Sequence, residues 1–411
     1  MTKKIVLAYS GGLDTSVAVN ILQKEYGYEV YCMTADLGNL PDSQDIVRRG
    51  LESGAVEVEL IDAKADFLQH FVLPALKANA LYQNKYPLAT ALARPLIAQM
   101  LIEKANQIGA NAIAHGCTGK GNDQVRFDVS LQTLKPDVEI IATGRENNMT
   151  REEVIVYANK NNIPLPPIKS SPYSTDENIW GRSIECGDLE DPWIAPPEEI
   201  YEWTKPINET PMQGEEIEIE FKNGEPVSLN KQKIDTISMV QQLNDIAGKH
   251  GIGRIDMVED RIVGIKSREI YESPAAIVLL QAHKSLESIT LTRKQIELKE
   301  FIDNEYGKMI YDGLWFSSHH INLASYINST QEHVNGTVRL KLWHGSVIVN
   351  GIKSDESLYD PKLATYGDDD DFDQSIAKGF IAIWGMPLKT QAKKQKHTEK
   401  KEFNRKSYLN N

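Results

Sequence analysis

Ser10-Gly11-Gly12-Leu13-Asp14-Thr15-Ser16 packs two glycines, three hydroxyls and one carboxylate into seven residues, directly after the apolar run Ile5 to Tyr9. These residue types suit a phosphate cradle. The glycines let the backbone turn tightly and aim several N–H groups at one anion, and a following helix N-terminus adds about half a positive charge. Thr15 and Ser16 place hydroxyls where phosphate oxygens would lie. Asp14 would repel a polyphosphate unless a cation or a polar network intervenes, which points to a divalent metal such as Mg²⁺. The bland reading is an ordinary strand-turn-helix connection capped by Asp or Thr. Neither Walker A nor G-x-G-x-x-G is available: none of Gly119-Lys120, Gly248-Lys249 and Gly307-Lys308 precedes Ser or Thr, and no glycine fingerprint follows the first strand.

A second informative stretch is His115-Gly116-Cys117-Thr118-Gly119-Lys120-Gly121-Asn122-Asp123-Gln124-Val125-Arg126-Phe127. Its glycines permit close backbone approach, and Asp123 and Arg126, three apart, share a face if a helix begins there. One reading is a surface ion pair of under about 1 kcal/mol. The other is an amino-acid site, since ammonium and carboxylate need one charge of each sign.

The elements that would position these loops alternate. Ile5 to Tyr9, Glu29 to Ala35, Ala55 to Ile61, Asn111 to Ala114 and Val138 to Ala142 read as buried strands. Between them, helical spacing from Asp14, over Pro41 to Ser53 and over Ala63 to Ala78 predicts helices, and Leu88 to Ile108 predicts a buried one with a break or start near Pro95. Such βαβ units make a parallel sheet that binds ligands beyond its carboxyl ends, where Ser10 to Leu13 and Ala35 to Gly38 both fall. Thr150-x-x-Glu153 is a capping box for a helix to about Asn161. Pro164, Pro166, Pro167 and Pro172 then form a rigid connector.

Beyond it, Tyr173 to Glu185 lacks an amphipathic period and is expected to be a loop over a neighbouring site or a solvated connector. Glu216 to Phe221 and Glu225 to Leu229 alternate around Asn223-Gly224, predicting a hairpin. Ile234 to Lys249, Pro274 to Leu286, Arg293 to Tyr311, Asn322 to Glu332 and Gln374 to Trp384 predict helices. Gly251 to Arg268 reads as strand edges and loops, and Asn335 to Val349 as a hairpin. The expected fold class is therefore α/β: a parallel-sheet nucleotide-binding domain over 1–167, an α+β domain over 168–386, and a basic tail over 387–411 that either docks as a helix or is disordered.

Composition bounds the function. Of 411 residues 41% are hydrophobic and 25% charged, as in a soluble globular protein, and no apolar run nears a membrane span. No signal-peptide h-region opens the chain, so a cytoplasmic protein is expected. Three cysteines without a C-x-x-C pair suggest neither a disulfide framework nor a zinc site, and histidine spacing suggests no metal ligands. A net charge of -13, with eight Lys/Arg gathered between Lys389 and Lys406, disfavours a nucleic-acid footprint on the body.

The Ser10 to Ser16 string resembles the PP-loop of N-type ATP pyrophosphatases. Together with Lys85-Tyr86-Pro87-Leu88 to Ala93-Arg94-Pro95, the His115 to Phe127 loop and Ser174 to Glu185, taken in order, the chain from about Lys3 to Pro387 resembles the argininosuccinate synthase family. The resemblance implies ATP-dependent ligation of citrulline to aspartate through citrullyl-AMP, with AMP and pyrophosphate released, and a homotetramer. With Mg²⁺ as the cation, no covalent enzyme intermediate is expected. The resemblance also implies that Ala8, Tyr9, Ser10, Gly11, Gly12, Leu13, Asp14, Thr15, Ser16, Ala35 and Gly116 hold ATP. Thr118, Asn122 and Asp123 would hold aspartate, and Tyr86, Asn122, Arg126, Ser174, Ser183, Glu259 and Tyr271 citrulline. Catalysis would fall to Ser10, Asp14, Thr15, Ser16, Asp123 and Arg126. Ala91 departs from the pattern, since many members carry a citrulline-binding Ser there. A tRNA thiolase or an amidotransferase would want reactive cysteines that the spacing does not offer. A nucleotide-binding module without catalysis would not need Thr118, Asn122, Asp123 and Arg126.

Overall fold

The computed structural model describes residues 3–38, 40, 43–147, 149–165 and 171–395, so the Pro166 to Ser170 part of the connector and the end of the tail lie outside the described residues. The first half alternates strand and helix: β1 (Lys3–Ala8), α1 (Leu13–Lys24), β2 (Tyr28–Asp36), α2 (Ser43–Glu52) and β3 (Glu57–Asp62). A helical stretch follows as α3 (Lys64–Phe67), a π turn over Leu68–Val72, and α4 (Leu73–Lys77). Then come α5 (Ala89–Ile108), β4 (Ala112–His115), α6 (Asp123–Leu134), β5 (Glu139–Ala142), α7 (Thr143–Asn147) and α8 (Arg151–Lys160). The sheet order is β3-β2-β1-β4-β5, every pair parallel. Ile5, Val6 and Leu7 are fully buried within it, as a strand covered on both faces requires. Strand order reverses between β1 and β4, and a crevice at that switch point is where such sheets bind ligands. The loops after β1 and β4 are the two that carry the chemistry-bearing residues.

Pro95 neither starts nor breaks its helix, contrary to the expectation for that stretch. Helix α5 begins at Ala89, with Leu92 N–H bonded to Leu88 O at 2.9 Å, and runs through Pro95 to Ile108. Proline removes one backbone donor here, but α5 is packed against β1 and α6 with Leu92, Leu96 and Leu101 buried, and that burial outweighs one lost bond. The Thr150 capping box forms as expected, with Glu153 N–H on Thr150 Oγ1 at 3.3 Å and Thr150 N–H on Glu153 Oε2 at 2.7 Å.

The second half holds two antiparallel sheets. β6 (Ser174–Asn178) and β7 (Gly181–Glu185) join β11 (Arg254–Asp260) and β12 (Lys266–Glu272) in the order β11-β12-β7-β6. β8 (Glu215–Lys222), β9 (Glu225–Leu229), β10 (Gln232–Lys233), β13 (Gly336–Trp343) and β14 (Ser346–Lys353) form the other, ordered β10-β9-β8-β13-β14. Asn223 and Gly224 both adopt positive φ, 50° and 73°, as a two-residue hairpin turn demands. Helices α9 (Thr236–Lys249), α10 (Pro274–Thr290), α11 (Arg293–Tyr311) and α12 (Ser318–Gln331) complete this half.

The stretch from Ser174 to Glu185 is a hairpin rather than the expected loop. Its strands are held by polar pairing that leaves no hydrophobic alternation to read: buried Arg182 bonds Glu177, Glu272 and Glu202. Glu272 in turn accepts the backbone N–H groups of Glu202, Trp203 and Thr204.

Residues up to Leu358 form one compact unit and those from Tyr359 another. Within the latter lie α13 (Pro361–Ala364), a 3-10 turn at Gln374–Ile376, α14 (Ala377–Trp384) and α15 (Met386–Lys394). The expected helix from Gln374 thus opens with a 3-10 turn, and Phe380, Ile381, Ile383 and Trp384 are exposed.

Candidate active site

The loop after β1 turns on Gly11, whose φ of +72° lies in the left-handed region. A Cβ there would sit 2.8 Å from Ile46 Cγ1. Gly11→Ala is therefore expected to cost about 1–2 kcal/mol of stability as well as weakening nucleotide binding, measured by urea unfolding and by ATP titration. Helix α1 has Gly12 at its N-cap and no side chain capping it, which leaves its first amides for a ligand. Ser10 Oγ and Thr15 Oγ1 lie 3.1 Å apart, and the Thr15 hydroxyl donates to Gly12 O at 3.2 Å. Ser16 faces away: it is fully buried and its hydroxyl pairs with Tyr9 OH at 3.0 Å. That pair braces the loop from behind. Asp14 is exposed at the first turn and, among the described residues, makes no hydrogen bond or ion pair. Crowding raises its carboxyl pKa, opposed by Arg151.

A cavity of about 430 Å³ opens at the carboxyl ends of β1, β2 and β4. Ala8, Tyr9, Ser10, Gly12, Asp14, Thr15, Ala35 and Gly116 line it, while Gly11 and Leu13 do not. Its apolar wall of Met33, Leu37, Leu40 and Ile97 suits an adenine ring. A second space of about 590 Å³ adjoins the same loop and is lined by Gly12, Leu13, Asp14, Gly116, Thr118, Arg151 and Ser174, among others.

The third cavity is small, about 100 Å³, and strongly polar. Tyr86, Thr90, Asn122, Asp123, Arg126, Asp176, Ser183, Glu259 and Tyr271 line it, with Glu185, Arg261, Glu269 and Tyr311. Strand register explains much of this gathering, because Asp176 pairs with Ser183 and Ser183 with Tyr271 across β6, β7 and β12. Residues directly opposite one another share a sheet face. Tyr86 stacks on Tyr271 with centroids 4.0 Å apart, and burial raises both phenol pKa values. Glu259 is buried and accepts hydrogen bonds from Tyr271 OH at 2.8 Å and Tyr311 OH at 2.7 Å. Asn122 donates to Tyr311 OH and accepts from Ile262 N–H.

Arg126 is buried, with Nε on Tyr311 O at 2.9 Å and Nη1 on Asp123 Oδ1 at 3.0 Å, while its buried Nη2 has no partner. Asp123 also takes Arg94 Nη2 at 2.7 Å on its other oxygen. Burial alone would raise the Asp123 carboxyl, but Arg94 and Arg126 hold it down at about 2. Opposite them, burial and the charges of Glu185 and Glu259 push Glu269 up to about 9, although Arg261 lies 2.7 Å away. A folded pKa raised above the unfolded value means that the native state loses stability as pH rises from about 4.5 toward 9. Glu269→Gln is therefore expected to raise the melting temperature, with a gain on the order of 1 kcal/mol or more that grows across that window. A gain independent of pH would show that Glu269 is ionised throughout.

Residues 4–164 match the arginosuccinate synthase N-terminal HUP domain, and residues 173–391 match the arginosuccinate synthase C-terminal domain. The chain belongs to the argininosuccinate synthase family. An argininosuccinate synthase of Trichodesmium erythraeum is 54% identical over 95% of this chain and 98% of its own length. Those of Dehalococcoides mccartyi and Crocosphaera subtropica are 51% and 53% identical, over 98% and 96% of this chain and 100% and 99% of their own lengths. As a member of this family the chain is a ligase of arginine biosynthesis.

The structure divides the family's expected contacts. Tyr86, Asn122, Asp123, Arg126, Ser183, Glu259 and Tyr271 share one cavity, whereas Thr118 and Ser174 line the space beside α1. Ala91 is buried and off the small cavity's wall. There the hydroxyl belongs to Thr90, 2.8 Å from Tyr86 OH. Sequence reasoning gave no role to Arg94, Asp176, Glu185, Arg261, Glu269 or Tyr311. One signal was available for Arg94, the single charged residue between Leu88 and Met100. Asp176, Glu185 and Glu269 lie on β6, β7 and β12, Arg261 follows β11, and Tyr311 ends α11, so distant segments must fold together to gather them.

Proposed function

We propose that this site adenylylates the ureido oxygen of citrulline and then lets the aspartate amine displace AMP, giving argininosuccinate. Asp176 carries this reading, because it walls both the nucleotide cavity and the small polar cavity. Nucleotide and amino acid bound on either side would meet at the α-phosphate. In the first step the ureido oxygen attacks that phosphorus, the bond to the bridging oxygen breaks, and pyrophosphate leaves with the electron pair. The isouronium ester so formed carries a good leaving group. Aspartate's amine, freed of one proton, adds to its carbon and expels AMP.

The free amides of α1, with Ser10 and Thr15, hold departing phosphate oxygens, and preorganised donors of this kind cost no reorganisation at the moment of reaction. Ser16 keeps the loop in shape through Tyr9. Arg126 offers its unpartnered Nη2 to the citrulline carboxylate, and Glu259 takes the ammonium. Asn122 lies within reach of both amino acids, Asp123 and Thr118 hold aspartate, and Ser174 and Ser183 border citrulline.

Among the described residues no three His, Cys, Asp or Glu side chains converge as a metal cage. Unpaired Asp14 fits the single carboxylate that Mg²⁺ takes when phosphates supply further ligands. Bound there, the ion would offset charge on the phosphates. The enzyme works in the cytoplasm as a homotetramer, in keeping with a described chain in which no helix is long and apolar enough to cross a membrane, and with the exposed apolar side chains of α14. With ATP, Mg²⁺, citrulline and aspartate all present, the protein should release AMP and pyrophosphate in equal amounts. Release that ignores citrulline would reject the reading.

A further inference from the structure

Arg94 projects from the start of α5 into the wall of the nucleotide cavity, where it is the sole Lys or Arg among the described lining residues. Its Nη2 donates both to Asp123 and to Asp176, two of the carboxylates bordering the small polar cavity. Nε is buried and has no hydrogen-bond partner. If Arg94 served only to bridge two aspartates, a buried N–H would stay unsatisfied at a cost of about 1–3 kcal/mol, more for a charged group. A guanidinium that lines a nucleotide cavity with one donor unused instead matches phosphate oxygens.

We propose that Arg94 is a catalytic residue of the adenylylation step, its Nε edge donating to an α-phosphoryl oxygen as citrulline attacks. This rests on the two-step reading above. Arg94 gives up no proton; it stabilises charge while one P–O bond forms and the other breaks. Asp123 and Asp176 are positioning residues that fix the plane of the guanidinium where the two cavities abut.

The test is citrulline-dependent exchange of labelled pyrophosphate into ATP without aspartate, on Arg94→Lys and Arg94→Ala proteins whose folding is first confirmed by thermal melts. Lysine keeps the charge but not the planar edge, so exchange at saturation should fall about 10²–10³-fold, the usual loss for one such donor. Half-saturating citrulline should move by less than about tenfold, and guanidinium added to Arg94→Ala should restore part of the rate. If Arg94→Ala does not fold, Arg94→Lys decides. Normal exchange with slow overall ligation, or a loss confined to citrulline affinity, would overturn the role. No exchange in the unaltered enzyme would overturn the two-step reading itself, and the Arg94 role with it.

Discussion

Replacing Arg126 by methionine should lower kcat/KM for citrulline by about three orders of magnitude, mostly through KM. Truncating one partner of a buried, charge-assisted contact costs about 2–5 kcal/mol. Methionine keeps an apolar stem beneath the Tyr311 ring, which lies 4.8 Å from the guanidinium carbon, while removing every donor. Asp123 retains Arg94 as a partner, so the carboxylate is not stranded. The fold should survive, because the lost bonds to Tyr311 O and Asp123 are two among many across this interface. Arg126→Lys should recover little, since a point charge cannot serve Tyr311 O, Asp123 and a carboxylate together. Near-normal KM for citrulline in the methionine variant would place the citrulline carboxylate elsewhere.

Asp14→Ala should cut turnover at least about a hundredfold with almost no change in melting temperature. The residue is exposed, unpaired and in the first turn of α1, where a carboxylate adds only about 0.3–1 kcal/mol through the helix dipole. Its importance lies in the charge that it offers to a phosphate-bound cation. Raising Mg²⁺ should therefore restore part of the lost rate, and steady-state kinetics across a Mg²⁺ series would show this. Loss of rate with an unchanged Mg²⁺ dependence would mean that Asp14 serves the loop's geometry instead.

Local chemistry told most about the nucleotide half. A buried strand, a glycine turn and a helix start are contiguous, so Ile5 to Ser16 alone places the cradle at a strand's carboxyl end. Even there Ser16 misled, because its side chain at the next helical position turns inward to Tyr9. The amino-acid half is assembled from β6, β7, β11, β12, α5, α6 and α11, segments far apart in the chain. Tyr271 and Ser183 meet through register, and nothing local in either strand announces it. The hairpin from Ser174 to Glu185 escaped notice for a related reason. Its strands bury Arg182 against Glu272, and the hydrophobic period that marks a strand is missing. Pro95 misled in the opposite direction, since packing of α5 overrode a strong local signal.

Adenylylation of the citrulline oxygen is tested most directly by labelling that oxygen. With ureido-¹⁸O citrulline, aspartate, ATP and Mg²⁺, a single turnover should place the label in the phosphate of AMP, one atom per argininosuccinate formed, as read by mass spectrometry. Unlabelled AMP, with the label found in water or pyrophosphate instead, would contradict the account.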